Sequence, residues 1–340
     1  MAFKLFGRPK AVGVDVGAGS VKVLALERRH SELVITGHGM APMETVSGPQ
    51  QASQAVHAAL AAAGADGETV VTAVGGPDVV IRQVTLPPVA PGKILSAVEF
   101  QHRWGMGDAG EAVVDVQPLR AGKEAASSEV LSVSIPKARV DERLRLLQQA
   151  GASVQILDVE PLALLNGALH LTGMEAGELM VLLTVGRHTS VLCLFSEQGP
   201  VVARYLDLGA EAFNDRLRAA FKLSSYQPQV GQTLDGDQAQ RAETACRDII
   251  DRMAEDIRLS LTFYRTEYDR QSLPRYTLGG SVDLPQIGRW LADRLGLGAP
   301  LELMDPFRAV EVKASSMLQP DVGPAGPQYL QAFGLALRAV

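Results

Sequence analysis

Cysteine is scarce in this chain, and basic clusters, metal-binding spacings, long apolar runs and the common phosphate-loop signatures are missing. The two cysteines are Cys193 and Cys246. Cys193 stands in the apolar run Val191–Phe195 and reads as a buried thiol, as in a reducing compartment. The six histidines show no HxH or HxxxH spacing, so no structural metal site is expected. There is no Lys/Arg cluster, and the formal net charge of −6 argues against a chain that holds nucleic acid. No run approaches the ~18–20 apolar residues of a spanning helix. The longest candidate, Leu179 to Phe195, is broken by Arg187 and His188. The basic start, Met1 to Lys10, is too short for a signal peptide; it reads as a solvated arm, with a seat on a membrane surface as the alternative. A cytoplasmic protein is expected. No G-x-x-x-x-G-K-[ST] occurs, which excludes a P-loop. Gly17-x-Gly19 lacks the third glycine of a dinucleotide fingerprint and leads into a strand.

What is present is enough apolar sequence for a large core: 340 residues, 46% hydrophobic, a length that suits two or more domains. Three strand patterns, Ala11–Val16, Val21–Arg28 and Leu33–Met40, precede a helical pattern over Pro49–Gly64 and strands at Thr69–Val74 and Val79–Leu86. The prolines at 87, 88 and 91 mark a boundary. A small α/β unit follows, with helices near Ile94–Arg103 and Lys137–Ala150 around strands Ala112–Leu119 and Glu129–Ile135, and a polar surface loop over Gly122–Ser128. Strand Val154–Asp158 and helix Pro161–Leu171 come next. The second half opens on another triple, Leu179–Val185, Ser190–Phe195 and Val201–Leu206, then helix Ala210–Phe221. A loop over Ser224–Gly236, a long charged helix over Asp237–Asp269, a strand at Arg275–Leu278, the turn Gly279-Gly280, a helix near Leu284–Leu295, a loop at Gly323–Pro327 and a last helix, Gln328–Ala339, complete the reading.

The informative feature is a repeat. Asp15-x-Gly17-x-x-Ser20 recurs as Thr184-x-Gly186-x-x-Thr189, with the same offset at all three positions, each copy at the first turn of a three-strand meander. Two such hairpins facing each other across a cleft form a phosphate clamp, the architecture of actin-like ATPases and sugar kinases. Gly17, Gly19 and Ser20 can offer backbone N–H groups and a hydroxyl to phosphate oxygens, and Lys22 lies on the same strand face as Ser20. Asp15 can hold Mg2+ through water. The plainer reading is a hairpin whose glycines only permit the turn. Gly186 and Thr189 are the counterpart candidates, joined by Gly209 ahead of the next helix. Gly279, Gly280 and Ser281 are a second site where a base or ribose can pack. Glu255 and Arg258, at i and i+3, either grip a ribose and an adenine or form a solvated ion pair.

Gly13–Lys22 (GVDVGAGSVK) resembles the first phosphate motif of the PilM and FtsA branch of actin-like proteins. Val80–Pro87, Ala97–Phe100, Val114–Val116, Leu157–Leu164, Glu255–Tyr264, Leu278–Ser281 and Ala332–Arg338 continue the likeness over nearly the whole chain. The resemblance implies an actin-like (ribonuclease H-like) two-lobed α/β fold with duplicated meander and helix units. It divides the chain into a first lobe, 1–87, completed by 153–175 and 315–340, with an inserted subdomain at 88–152 as in FtsA. A second lobe covers 176–222 and 272–314, with a helical subdomain at 223–271. It implies an ATP-binding scaffold of the type IV pilus inner-membrane platform, docked to the cytoplasmic N-terminus of a PilN-like bitopic protein and linked to the motor ATPase ring. Self-association stays open.

Two departures bear on function. The family's second hairpin starts with Asp where this chain has Thr184, which puts hydrolysis in doubt. An aromatic-Ile-Pro-Phe stretch near the inserted helix is replaced by Arg103-Trp104-Gly105-Met106, and Arg103 and Trp104 are the candidate peptide-contacting residues. A sugar-type kinase and an FtsA-like polymerising protein are the competing readings; for the kinase, Glu160 is the one candidate catalytic base. Lys22→Ala and Gly280→Asp are expected to weaken nucleotide binding without unfolding the protein.

Overall fold

The computed structural model describes residues 10–30, 32–43, 48–87, 89–105, 111–120, 128–197, 202–223, 234, 236–268, 273–281, 286–313 and 322–340. The basic arm at 1–9 and most of the two polar loops expected at 122–128 and 224–236 lie outside them.

Strands β1 (Ala11–Val16), β2 (Ser20–Arg29) and β3 (Glu32–Pro42) form an antiparallel meander, capped by helix α1 (Pro49–Ala62). Strand β1, AVGVDV, is buried along almost its whole length, as a strand covered on both faces must be. A Cβ on Gly13 would collide with the Ala332 carbonyl, so the last helix lies directly on this strand. Strand β4 (Thr69–Val74) joins β1 in parallel, and β5 (Val80–Leu86) leaves the sheet. A small layer follows: helix α2 (Ile94–Gly105), strands β6 (Ala112–Arg120) and β7 (Ser128–Pro136), and helix α3 (Lys137–Gln149), with sheet order β5-β7-β6. Strand β8 (Ser153–Val159) then returns to pair with β4, and helix α4 (Glu160–Thr172) crosses toward the second half.

The second meander is β9 (Glu178–Val185), β10 (Ser190–Phe195) and β11 (Val202–Leu206), followed by helix α5 (Ala210–Phe221). The 32-residue helix α6 (Gly236–Glu267) buries Ala242, Cys246, Ile249, Ile250, Met253, Ala254, Ile257, Leu261 and Tyr264. Their three- and four-residue spacing makes one apolar stripe against the sheet. Strand β12 (Leu273–Gly280), helix α7 (Ile287–Leu295) and strand β13 (Glu302–Leu303) complete a sheet of order β11-β10-β9-β12-β13. Helix α7 stops at Gly296, whose φ of 74° is the left-handed conformation that glycine adopts at least cost.

Three details differ from the sequence reading. Gly279-Gly280 is no turn but the end of β12, paired with Thr184 and Val185. After helix α8 (Pro306–Ala309), strand β14 (Glu311–Val312) pairs with β3, so the chain is back in the first sheet before residue 314. The order there is β14-β3-β2-β1-β4-β8. The stretch Gly323–Tyr329 is a 3-10 helix instead of a loop, helix α9 covers only Leu330–Ala336, and Leu337–Ala339 tightens to 3-10 again. Pro324 and Pro327 supply no N–H, which suits the short irregular helix better than an α-helical ladder.

Helices α4 and α9 cross at the centre of the molecule through Gly167 and Gly334, where a Cβ on Gly334 would collide with the Ala163 carbonyl. Leu164, Leu165 and Ala168 of α4 pack with Met180, Leu182, Val191 and Cys193, so α4 belongs to the cores of both halves. Cys193 and Cys246 are free and buried, as the apolar run around Cys193 suggests for that residue. Among the described residues, no helix is long and apolar enough to cross a membrane.

Candidate functional site

The repeat is real in space. Gly17 N–H donates to Ser20 O at 3.2 Å, and Gly186 N–H to Thr189 O at 3.0 Å. Val16 pairs with Val21 across the first turn, and Val185 with Ser190 across the second. The two turns face each other over a cleft lined by Asp15, Gly17–Ser20 and Lys22 on one side and Thr184–Thr189 on the other. Glu160, Gly280 and Ser281 line it as well. The free volume there is about 120 Å³, below the ~300 Å³ at the small end of ligand pockets. The two turns therefore lie close together across it.

Asp15 and Lys22 are cross-strand partners, joined by an ion pair of 3.3 Å. Both are buried, at 6% and 8% exposure. Their counterparts, Thr184 and Val191, carry no charge. Thr184 Oγ1 is buried and makes no hydrogen bond among the described residues. A buried hydroxyl aimed into a cleft without a partner is what a polar ligand or its water would satisfy. Glycine at 17, 186 and 280 keeps backbone close to the same space. Gly280 has φ 86°, and the next N–H, from Ser281, donates to Val185 O at 2.6 Å.

Glu160 opens helix α4 and accepts from the Tyr205 hydroxyl at 3.0 Å, a bond between the two halves. Burial, and next the charge of Asp15, push its carboxyl up to about 7. The folded protein thus holds this proton between the ordinary 4.5 and about 7, where the unfolded chain has lost it. The stability tied to it is complete below 4.5 and is lost as the pH rises toward 7. Between pH 4.5 and 8, the wild type should lose on the order of 3 kcal/mol more stability than Glu160→Gln, read by urea unfolding. Equal slopes for the two proteins would contradict this placement of the carboxyl.

Arg143 of α3 was not legible as a site residue. It is half-buried and donates to Val16 O at 3.3 Å, directly before the first turn. Arg187, at the tip of the second turn, donates to Met43 O at 3.1 Å. The sequence marks Arg187 only as a break in an apolar run; its place beside Gly186 in the repeat was the usable signal. Nothing in the pattern of β11 singles out Tyr205.

Four of the nucleotide-site candidates fall outside the cleft lining. Gly209 sits behind the second turn, where a Cβ would meet Arg187 O and the His188 backbone; the first N–H groups of α5 bond Gly186 O and Arg187 O. Gly279 is packed against Leu330. Glu255 and Arg258 form the solvated ion pair, 3.4 Å long, and Arg258 also donates to Arg294 O. Arg103 and Trp104 lie in α2, but their side chains are outside the described set.

Beside the cleft runs a wider groove of about 740 Å³ between the first sheet and α3. Val16, Gly17 and Ala18 form its floor, Met43, Pro49 and Ala52 one wall, and Arg139, Arg143, Leu146 and Gln149 the other. The turn at Gly17 and Ala18 lines both spaces.

The family model described as type IV pilus assembly protein PilM matches residues 13–340. The chain belongs to the PilM family. Among solved structures, a "PilM-PilN type IV pilus biogenesis complex" is similar at 23% identity and TM-score 0.78, over 98% of this chain and 99% of that one. The ethanolamine utilization protein EutJ from Carboxydothermus hydrogenoformans is similar at 15% identity and TM-score 0.54, over 98% and 90%. MreB 5 of Spiroplasma citri, bound to AMPPNP, is similar at 9% identity and TM-score 0.50, over 98% and 97%. No curated protein matches by sequence. The fold of this PilM-family chain is actin-like.

Proposed function

We propose that this PilM-family protein is a nucleotide-dependent docking platform of type IV pilus assembly. In this reading it binds ATP between the duplicated turns and takes the N-terminal cytoplasmic peptide of a PilN-like membrane protein in the neighbouring groove. Through that partner it sits at the cytoplasmic face of the inner membrane. The observation that carries the reading is the groove of about 740 Å³ that shares the Gly17-Ala18 turn with the cleft. An extended peptide fits such a trough between two layers. The first turn, Gly280 and Ser281 would hold the nucleotide. Asp15 would hold Mg2+ through water, the oxygen ligation that ion prefers. When bound, Mg2+ supplies positive charge against the phosphates. Asp15 gives most of its own charge to Lys22, and Thr184 offers a hydroxyl where the first turn has an acid. Water activation is therefore left to Glu160, so bound ATP should be turned over slowly or not at all.

The groove wall comes from α3; no described side chain of α2 lines it. A bulky side chain at Gln149 should therefore block the peptide more than changes at Arg103 and Trp104 do. In fluorescence anisotropy with the labelled partner peptide, Gln149→Trp should weaken binding by about tenfold or more. ATP affinity should be unchanged. Normal peptide binding by Gln149→Trp, with loss in the Arg103→Ala/Trp104→Ala variant, would move the docking site to α2.

A further inference from the structure

We infer that strand β6 is a self-association edge, where a second copy of this chain pairs antiparallel about a two-fold axis at Val116. In the small sheet, ordered β5-β7-β6, β6 is an outer strand, and among the described residues only β7 pairs with it. A nine-residue edge leaves a row of backbone donors and acceptors open to another strand. Three observations fix which groups point outward. Lys137 N–H donates to Glu111 O at 2.8 Å, so Glu111 faces the β7 side, and alternation puts Val113, Asp115 and Gln117 with it. Val116 N–H goes to the Asp115 carboxylate at 2.8 Å. Pro118, which has no N–H to give, takes a position where the backbone faces away from the ladder. The outward positions are therefore Ala112, Val114, Val116 and Pro118.

Val116 is the midpoint of Ala112–Arg120, and the strand fits its own reverse about that point. An antiparallel copy centred there sets Val116 opposite Val116, Val114 opposite Pro118 and Asp115 opposite Gln117. Val116 N–H then meets the second copy's Val116 carbonyl, and Val114 N–H its Pro118 carbonyl, each bond repeated by the two-fold axis. Val114 and Val116 pack under α2 with Ile94 and Val98, so Val113, Asp115 and Gln117 share the opposite face, which is exposed. On that face Gln117 Nε2, which lies 3.5 Å from Pro118 O, comes opposite the second copy's Asp115 carboxylate and can donate to it. Val113, 42% exposed, comes to the end of the edge where the second copy carries Leu119, 44% exposed. No like charges oppose each other in this register, whereas one centred on Asp115 sets that carboxylate against itself. A strand from another protein needs no such symmetry; the match of β6 to its own reverse selects a second copy.

Sedimentation velocity on the full chain decides this. The wild type should pass from monomer to dimer with a Kd on the order of 10–100 μM, as a small edge contact gives. Gln117→Asp sets carboxylates opposite Asp115 on both sides of the axis and should weaken the dimer about tenfold. Gln117→Lys sets an ammonium there instead and should tighten it about threefold or more. Position 117 is exposed, so both variants should melt with the wild type, and a change in association then reports on the contact alone. A wild type that stays monomeric up to about 1 mM overturns the inference and leaves the edge to a strand of another protein. A dimer that responds to neither variant, or to both in the same direction, overturns it as well, because the contact then lies elsewhere.

Discussion

Lys22→Ala is expected to cost about 3–5 kcal/mol of stability, as removal of one partner from a buried ion pair does. Lys22 and Asp15 sit on adjacent strands at the centre of the first sheet, 3.3 Å apart, with both side chains about nine-tenths buried. Without the ammonium, the Asp15 carboxylate is left facing Glu160, whose carboxyl its charge already pushes upward. The double variant Asp15→Asn/Lys22→Met removes both charges and should recover most of the loss, because the desolvation cost disappears with the attraction. Urea unfolding of the two variants measures both. A single variant within about 1 kcal/mol of wild type would show the pair to be solvated. The sequence reading expected Lys22→Ala to leave the fold intact; burial of the pair reverses that, and a nucleotide-binding defect in this variant cannot be assigned to phosphate contact alone.

Gly280→Asp should be more disruptive still. Gly280 has φ 86°, and a Cβ there would run into the Val185 carbonyl, with Val185 N at 2.8 Å. A non-glycine residue held at such a φ costs on the order of 1–3 kcal/mol from backbone strain alone. The clash also forces β12 away from β9 and breaks the Ser281 N–H to Val185 O bond, which positions the second turn from behind. The expected result is a cooperative transition at markedly lower temperature, together with loss of nucleotide binding. Retention of the wild-type melting temperature would show that β12 does not end as described.

The architecture was legible because each half writes the same sentence. Apolar strands, a glycine turn and an amphipathic helix recur with a constant offset, and strands such as β1 and β9 are apolar along both faces. The helices too long or too apolar to be anything else, α6 above all, needed no tertiary information. The two-residue strands β13 and β14 and helix α8 were invisible, since elements that short carry no periodicity. Gly279 and Gly280 looked like a turn because glycine pairs usually are one. Here they permit a strand to run against Leu330 and the Val185 backbone.

The first turn of the candidate site could be read directly from Asp15 to Lys22. The rest depended on residues far apart in the chain. Glu160 meets Tyr205, Arg143 meets Val16, and Arg187 meets Met43 only after three separate layers have packed. Glu255 and Arg258 show the opposite case. Their spacing admitted two readings, and the fold leaves them as a surface ion pair.

The central claim is that the two turns act as one clamp, and hydrogen–deuterium exchange on the wild-type protein with and without ATP tests it most directly. Exchange should slow in peptides covering Gly17–Ser20 and Gly186–Thr189 together, and stay unchanged over Glu255–Arg258. Protection of one turn without the other, or protection confined to the helix carrying Glu255, would contradict the account.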